Sequence, residues 1–167
     1  KPVVKSFRWL RMPTGVSNES KSMTDMPPLD HLQLDAFSAD QVLRLVQITD
    51  CHLGEQSGEC LVGMDTDSSL DRVLTLIQKE QPAAHLLLAT GDLANHGSAE
   101  AYLRLKAKLA PLGLPNAWLA GNHDGRSLMA DTVGDCLLPR TVRGGRWLIV
   151  MMDSAVPGQV GGELGEK

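Results

Sequence analysis

The stretch VQITDCHLGE, residues 46–55, runs five mostly apolar positions into Asp50 and then, two residues later, His52. It closes a longer segment, QVLRLVQIT (41–49), whose apolar content reads as a strand. The segment DTDSSLDRVLTLIQKEQP (65–82) then places Leu70, Val73, Leu74 and Ile77 at helical spacing until Pro82. A strand followed by a helix is one unit, and the unit recurs. AHLLLAT (84–90) is a continuous apolar strand, and SAEAYLRLKAKLA (98–110) is a helix that Ser98 can cap and that ends near Pro111 and Gly113. NAWLA (116–120) supplies a third strand, and TVRGGRWLIVMMD (141–153) reads as a hairpin turned at Gly144 and Gly145 that leads into another buried strand. Alternation of this kind predicts an α/β fold with a largely parallel sheet flanked by helices.

The first three strands all end in polar residues: TDCH (49–52), TGD (90–92) and AGNHD (120–124). Functional groups of open α/β sheets gather outside the carboxyl ends of the strands, and each gap between these loops fits one crossover, so the three loops can meet. The backbone through Asp50, Cys51 and His52 is expected to be extended and to alternate, so that the Asp and His side chains project to one side and Cys51 to the other. A carboxylate and an imidazole delivered to one point suit a divalent metal. Each fragment alone has a plainer reading. Asp-x-His can be a capped turn with a surface His, and Gly91-Asp92 can be an Asx turn. In GNHD, Asn122 offers a neutral oxygen donor, His123 can hold or donate a proton, and Asp124 can orient that imidazole.

The chain has 167 residues and a net charge of −4, with 43% hydrophobic content. This is enough for one ordinary domain with a core, and the charge argues against a sequence-independent grip on nucleic acid or an anionic membrane. No apolar run reaches the length of roughly 18 residues that a membrane span requires. Cys51, Cys60 and Cys136 cannot all pair, which predicts reduced thiols and a cytoplasmic location. Residues 1–40 lack periodicity, and PTGVSNESKSMTDMPP (13–28) is built of turn formers, so 1–40 is expected to be a poorly ordered leader and 41–167 the folded domain. His31 then has no role, His85 is a structural strand residue, and His96 either faces solvent or reaches a substrate. Trp118 and Trp147 are expected in the core.

Taken jointly, D-x-H, G-D and G-N-H-D in this order resemble the calcineurin-like metallophosphoesterase superfamily. LRLVQITDCHL (43–53), LLLATGDLANHGSAEAY (86–102), AWLAGNHDG (117–125) and MMDSAVPGQVGGEL (151–164) are similar to its bacterial 3′,5′-cyclic AMP phosphodiesterases. The resemblance implies the first half of a four-layer α/β/β/α sandwich. It also implies two divalent metal ions, iron or manganese, with Asp50, His52 and Asp92 on the first ion and Asp92 bridging to a second held by Asn122. On the same pattern His123, backed by Asp124, is catalytic, and His52, Asp92, Asn122 and His123 lie close to the nucleotide phosphate.

The implied reaction opens 3′,5′-cyclic AMP to 5′-AMP by a hydroxide that the two metals activate, so the partner is a small cyclic nucleotide. A glycerophosphodiesterase, a broad phosphodiesterase and a non-catalytic scaffold are the alternatives, and the oligomeric state stays open. An ordinary nucleotide-binding module is disfavoured because G-x-G-x-x-G and the P-loop are both missing. Family members carry further histidine ligands downstream, whereas this sequence has no His after His123. The expectation is therefore a C-terminally truncated chain with an open second metal position and little turnover by itself.

Overall fold

The run LLLAT, residues 86–90, is apolar throughout because it becomes the middle strand of a parallel sheet covered on both faces. A computed structural model describes residues 31–34, 41–156 and 158–164. Its elements, in chain order, begin with β1 (His31–Gln33), β2 (Leu45–Thr49), β3 (Cys60–Leu61), β4 (Met64–Asp65) and α1 (Thr66–Glu80). They continue with β5 (Leu86–Thr90), α2 (Ala99–Leu109), β6 (Asn116–Leu119), α3 (Arg126–Val133), β7 (Thr141–Gly144) and β8 (Trp147–Val150). Strands β2, β5 and β6 lie side by side in that order, all parallel, as the alternation of strand and helix predicts.

Period-two alternation along the parallel strands divides their side chains between two cores. Ile48, Leu87, Ala89 and Trp118 face the helices, meeting Leu70, Leu74 and Ile77 of α1 and Tyr102, Leu105 and Leu109 of α2. Leu86, Leu88 and Ala117 face the other way, against Leu34 and Val142 of a second sheet ordered β1-β7-β8. The described residues thus stack as helices, parallel sheet and second sheet, three layers of the α/β/β/α sandwich. Helix boundaries follow local chemistry. The Ser98 side chain accepts from the Ala101 amide to cap α2, and Asp65 accepts from Ser68 to cap α1.

Four expectations need correction. His31–Gln33 pairs in parallel with Thr141–Arg143, and the His31 ring lies 3.0 Å from the Thr141 hydroxyl, so residues 31–34 belong to the second sheet and not to a leader. Residues 1–30 and 35–40 lie outside the described residues. The segment 147–150 is not a buried strand, because β8 is the edge of its sheet and Leu148 and Val150 are 48% and 57% exposed. Trp147 on it is only partly buried, whereas Trp118 is fully in the core. The hairpin exists, but its two turn residues are Gly145, at φ 57°, and Arg146; Gly144 still pairs with Trp147. Two further elements carried no sequence expectation: α3 and the short β3-β4 hairpin.

Candidate metal centre

Backbone pairing continues past the ends of the parallel strands and straps their loops together. The Asp50 amide donates to the Gly91 carbonyl (3.0 Å), His52 to Asp92 (2.8 Å), Leu53 to Leu93 (3.1 Å) and Gly91 to Leu119 (2.8 Å). The backbone is not extended there, which corrects the alternation expected for Asp50 and His52. Strand β2 ends at Thr49, and Asp50, His52 and Asp92 take φ values of 56°, 44° and 48°. The left-handed region costs an L-residue about 1–2 kcal/mol, so these kinks exist only because the surrounding ladder holds them. Gly121 is required by close approach. A Cβ at this position would fall on the amide nitrogen and carboxylate of Asp92.

These kinks bring the polar side chains to one point. Donor atoms of His52, Asp92 and His123 all lie within 4.8 Å of one another. Nε2 of His52 is 3.8 Å from an Asp92 carboxylate oxygen and 4.0 Å from one of Asp50. These separations are too long for hydrogen bonds. They suit a cation that sits about 2.0–2.2 Å from each donor. The His52 and His123 rings meet edge to face with centroids 4.9 Å apart. Asp92 is held by the His123 amide, which donates to its Oδ1 at 3.0 Å, and Asp50 by the Thr49 hydroxyl at 2.6 Å. Nδ1 of His52 is buried without a partner among the described residues, and Nε2 is the ring nitrogen that faces the carboxylates. One imidazole between two carboxylates, with a second imidazole beside it, is a donor set that fits a divalent ion.

Asn122 stands at the edge of this group, exposed, on an open cleft of 280 Å³ lined also by Thr49, Thr90, Gly91, Ser154 and Gly162. The structure therefore gathers Asp50, His52, Asp92 and His123, with Asn122 adjoining them. Asp124 behaves differently from expectation, because its carboxylate accepts from the amides of Leu93 (3.0 Å), Ala94 (2.9 Å) and Gly121 (2.8 Å) and from the Tyr102 hydroxyl (3.1 Å). It joins two loops and does not back the His123 ring. The ring is oriented instead by the Asn95 carbonyl, 2.8 Å from Nδ1. A carbonyl only accepts, so Nδ1 carries a hydrogen and Nε2 is left for exchange.

Burial and the Asp124 charge push the Tyr102 hydroxyl well above its ordinary pKa, keeping it a neutral donor. Burial, then Asp124 and Asp50, push the Cys51 thiol up to about 12. That thiol packs against the core beside the helices and is inert. His96 lies on the rim, its ring 6.5 Å from that of His123. His85 accepts the Arg44 amide at 3.0 Å, a structural role as expected. Neither Asn95 nor Tyr102 was expected at the site. A backbone carbonyl leaves no sequence signal, but Tyr102 is the one tyrosine of the chain and places a hydroxyl on an apolar helix face.

Residues 43–152 match the family described as Calcineurin-like phosphoesterase. The chain is 44% identical over 128 residues to a 3′,5′-cyclic adenosine monophosphate phosphodiesterase of Pseudomonas aeruginosa, covering 76% of this chain and 47% of that protein. It is 39% identical over 127 residues to the Escherichia coli K12 protein of the same description, covering 74% and 46%. A 3′,5′-cyclic-nucleotide phosphodiesterase of Nostoc is 32% identical over 124 residues, covering 73% and 47%. The chain spans about half the length of these curated relatives.

Proposed function

Because the chain belongs to the calcineurin-like phosphoesterase family, whose members use divalent metals, we propose that it binds such ions and acts in the hydrolysis of 3′,5′-cyclic AMP to 5′-AMP. The observation that carries this reading is the convergence of His52, Asp92 and His123 donors within 4.8 Å at the ends of the parallel strands. Asp50, His52 and Asp92 would hold the first ion, and Asp92 with Asn122 the second. Iron and manganese suit this mixed oxygen and nitrogen set. Bound divalent ions supply charge neutralisation for the phosphate and lower the pKa of an attacking water.

The protein groups then do the rest. Asn122 and the cleft beside it receive the nucleotide, a small and soluble ligand. Water loses one proton to solvent as it adds to phosphorus, the bond from phosphorus to the 3′ oxygen breaks, and that oxygen takes a proton from Nε2 of a His123 ring that carries a hydrogen on both nitrogens and regains the lost one from solvent. Asn95, through its carbonyl, holds the ring in the orientation this transfer needs. Asp124 contributes by keeping the Asp92 and Asn122 loops together, in place of the catalytic part expected for it. The free thiols of Cys51, Cys60 and Cys136 support a reducing, cytoplasmic location. No helix among the described residues is long and apolar enough to cross a membrane.

The decisive experiment titrates the chain with Mn²⁺ and Fe²⁺ and then follows cyclic AMP by chromatography. One ion should bind more tightly than the second, whose donors among the described residues are Asp92 and Asn122. Asp92→Ala should abolish binding. His123→Ala should keep the first ion yet lower further the slow turnover expected of this chain, by up to about 10²–10⁴-fold. A chain that binds no metal defeats the reading. A metal-loaded chain that cleaves glycerophosphodiesters and leaves cyclic AMP intact moves the substrate to the broader phosphodiester class.

A further inference from the structure

Helix α2 packs against the parallel sheet through Ala101, Tyr102, Leu105 and Leu109, yet two of its residues reach polar partners in the ligand loops. Tyr102 is completely buried. Its hydroxyl donates to Asp124 and accepts from the Gly125 amide at 2.9 Å. Asp124 in turn grips Leu93 and Ala94, which follow Asp92, and Gly121, which precedes Asn122. One phenol therefore ties together the loops that carry Asp92, Asn122 and His123.

Arg104 lies two residues on, about 200° around the helix, and grips the remaining loop. Its guanidinium donates to the carbonyls of Gly54, Glu55 (3.1 Å) and Gln56 (3.5 Å), two to four residues after His52. The other side of the guanidinium pairs with Asp67 at 3.0 Å, a carboxylate that is itself buried in the first turn of α1 and accepts from the Gly58 amide. An arginine fork is suited to holding several acceptors in one plane, and a lysine ammonium is not.

We propose that α2 is the positioning element of the metal centre, with Tyr102 and Arg104 as positioning residues that set how tightly and in what geometry the ligand loops hold an ion. The proposal rests on the metal-binding reading above and goes beyond it by naming residues that touch no ion. Outer partners of metal ligands typically govern about 10–100-fold in affinity. The hydroxyl and the fork act on different loops, so their losses should add.

The test uses the whole chain with Mn²⁺ for affinity and Co²⁺ for the visible absorption that reports ligand geometry. Tyr102→Phe and Arg104→Lys should each retain the wild-type circular dichroism, weaken Mn²⁺ binding about tenfold or more and shift the Co²⁺ band. Leu74→Ala, a core change in α1 that removes none of these hydrogen bonds, should lower the melting temperature but leave affinity and band unchanged at temperatures where it is folded. If Tyr102→Phe and Arg104→Lys bind like the wild type, or if Leu74→Ala moves the band as much as they do, α2 is only a core helix and the proposal fails. Should Arg104→Lys not fold, Asp67→Asn, which loosens Arg104 without removing it, carries the same prediction. Failure of the underlying reading is distinguishable, because then the wild type itself binds neither metal.

Discussion

The two sheets of this protein have similar apolar strands and opposite fates. In the parallel sheet, Leu86 and Leu87 are 0% and 1% exposed because helices cover one face and the second sheet the other. In the second sheet only the inward residues, such as Val142 and Leu34, are buried, while Leu148 and Val150 of β8 point outward. The candidate ligand residues all sit at the end of the first sheet. Strained left-handed kinks at Asp50, His52 and Asp92 can be sustained there, because the strands beneath are locked on both faces and the ladder continues into the loops. An edge strand with one open face offers no such support.

Substitutions can break or sharpen that contrast. The largest loss of stability should come from Leu87→Ala, at about 2–5 kcal/mol in urea denaturation, since it opens a cavity between the middle strand and the helices. A loss below about 1 kcal/mol would mean that this layer is loosely packed and that the contrast between the sheets is overstated. Next, Ser98→Ala removes the side-chain cap of α2 and should cost about 1 kcal/mol, read from the same transition. An unchanged midpoint would show that tertiary packing alone holds the start of the helix. The smallest effect should be that of Leu148→Lys, within about 0.5 kcal/mol of the wild type, because its side chain is half exposed on β8. A larger destabilisation would show that something covers this face in solution.

The strand ends were legible because each combines an apolar run with a polar turn, and short-range chemistry decides both. The meeting of His52, Asp92 and His123 at the strand ends was legible in this way, and the Ser98 cap likewise. The role of Asp124 was misread because adjacency in sequence suggested support for His123, whereas the loop turns the carboxylate towards three backbone amides and a phenol. Strand β1 was missed since its partner, β7, lies 110 residues away, and three residues of ordinary composition announce no pairing.

By itself, then, the sequence determined the alternation of strands and helices, the residues at the strand ends and the chemical character of the site. Periodicity, capping and donor type are local properties and survive without a fold. Tertiary structure alone decided the left-handed kinks that aim Asp50 and His52, the use of Asn95 to orient His123, and the reach of Tyr102 and Arg104 from one helix into all three loops. Each of those depends on which segments the packed sheet brings within hydrogen-bonding distance, and no stretch of sequence carries that distance on its own.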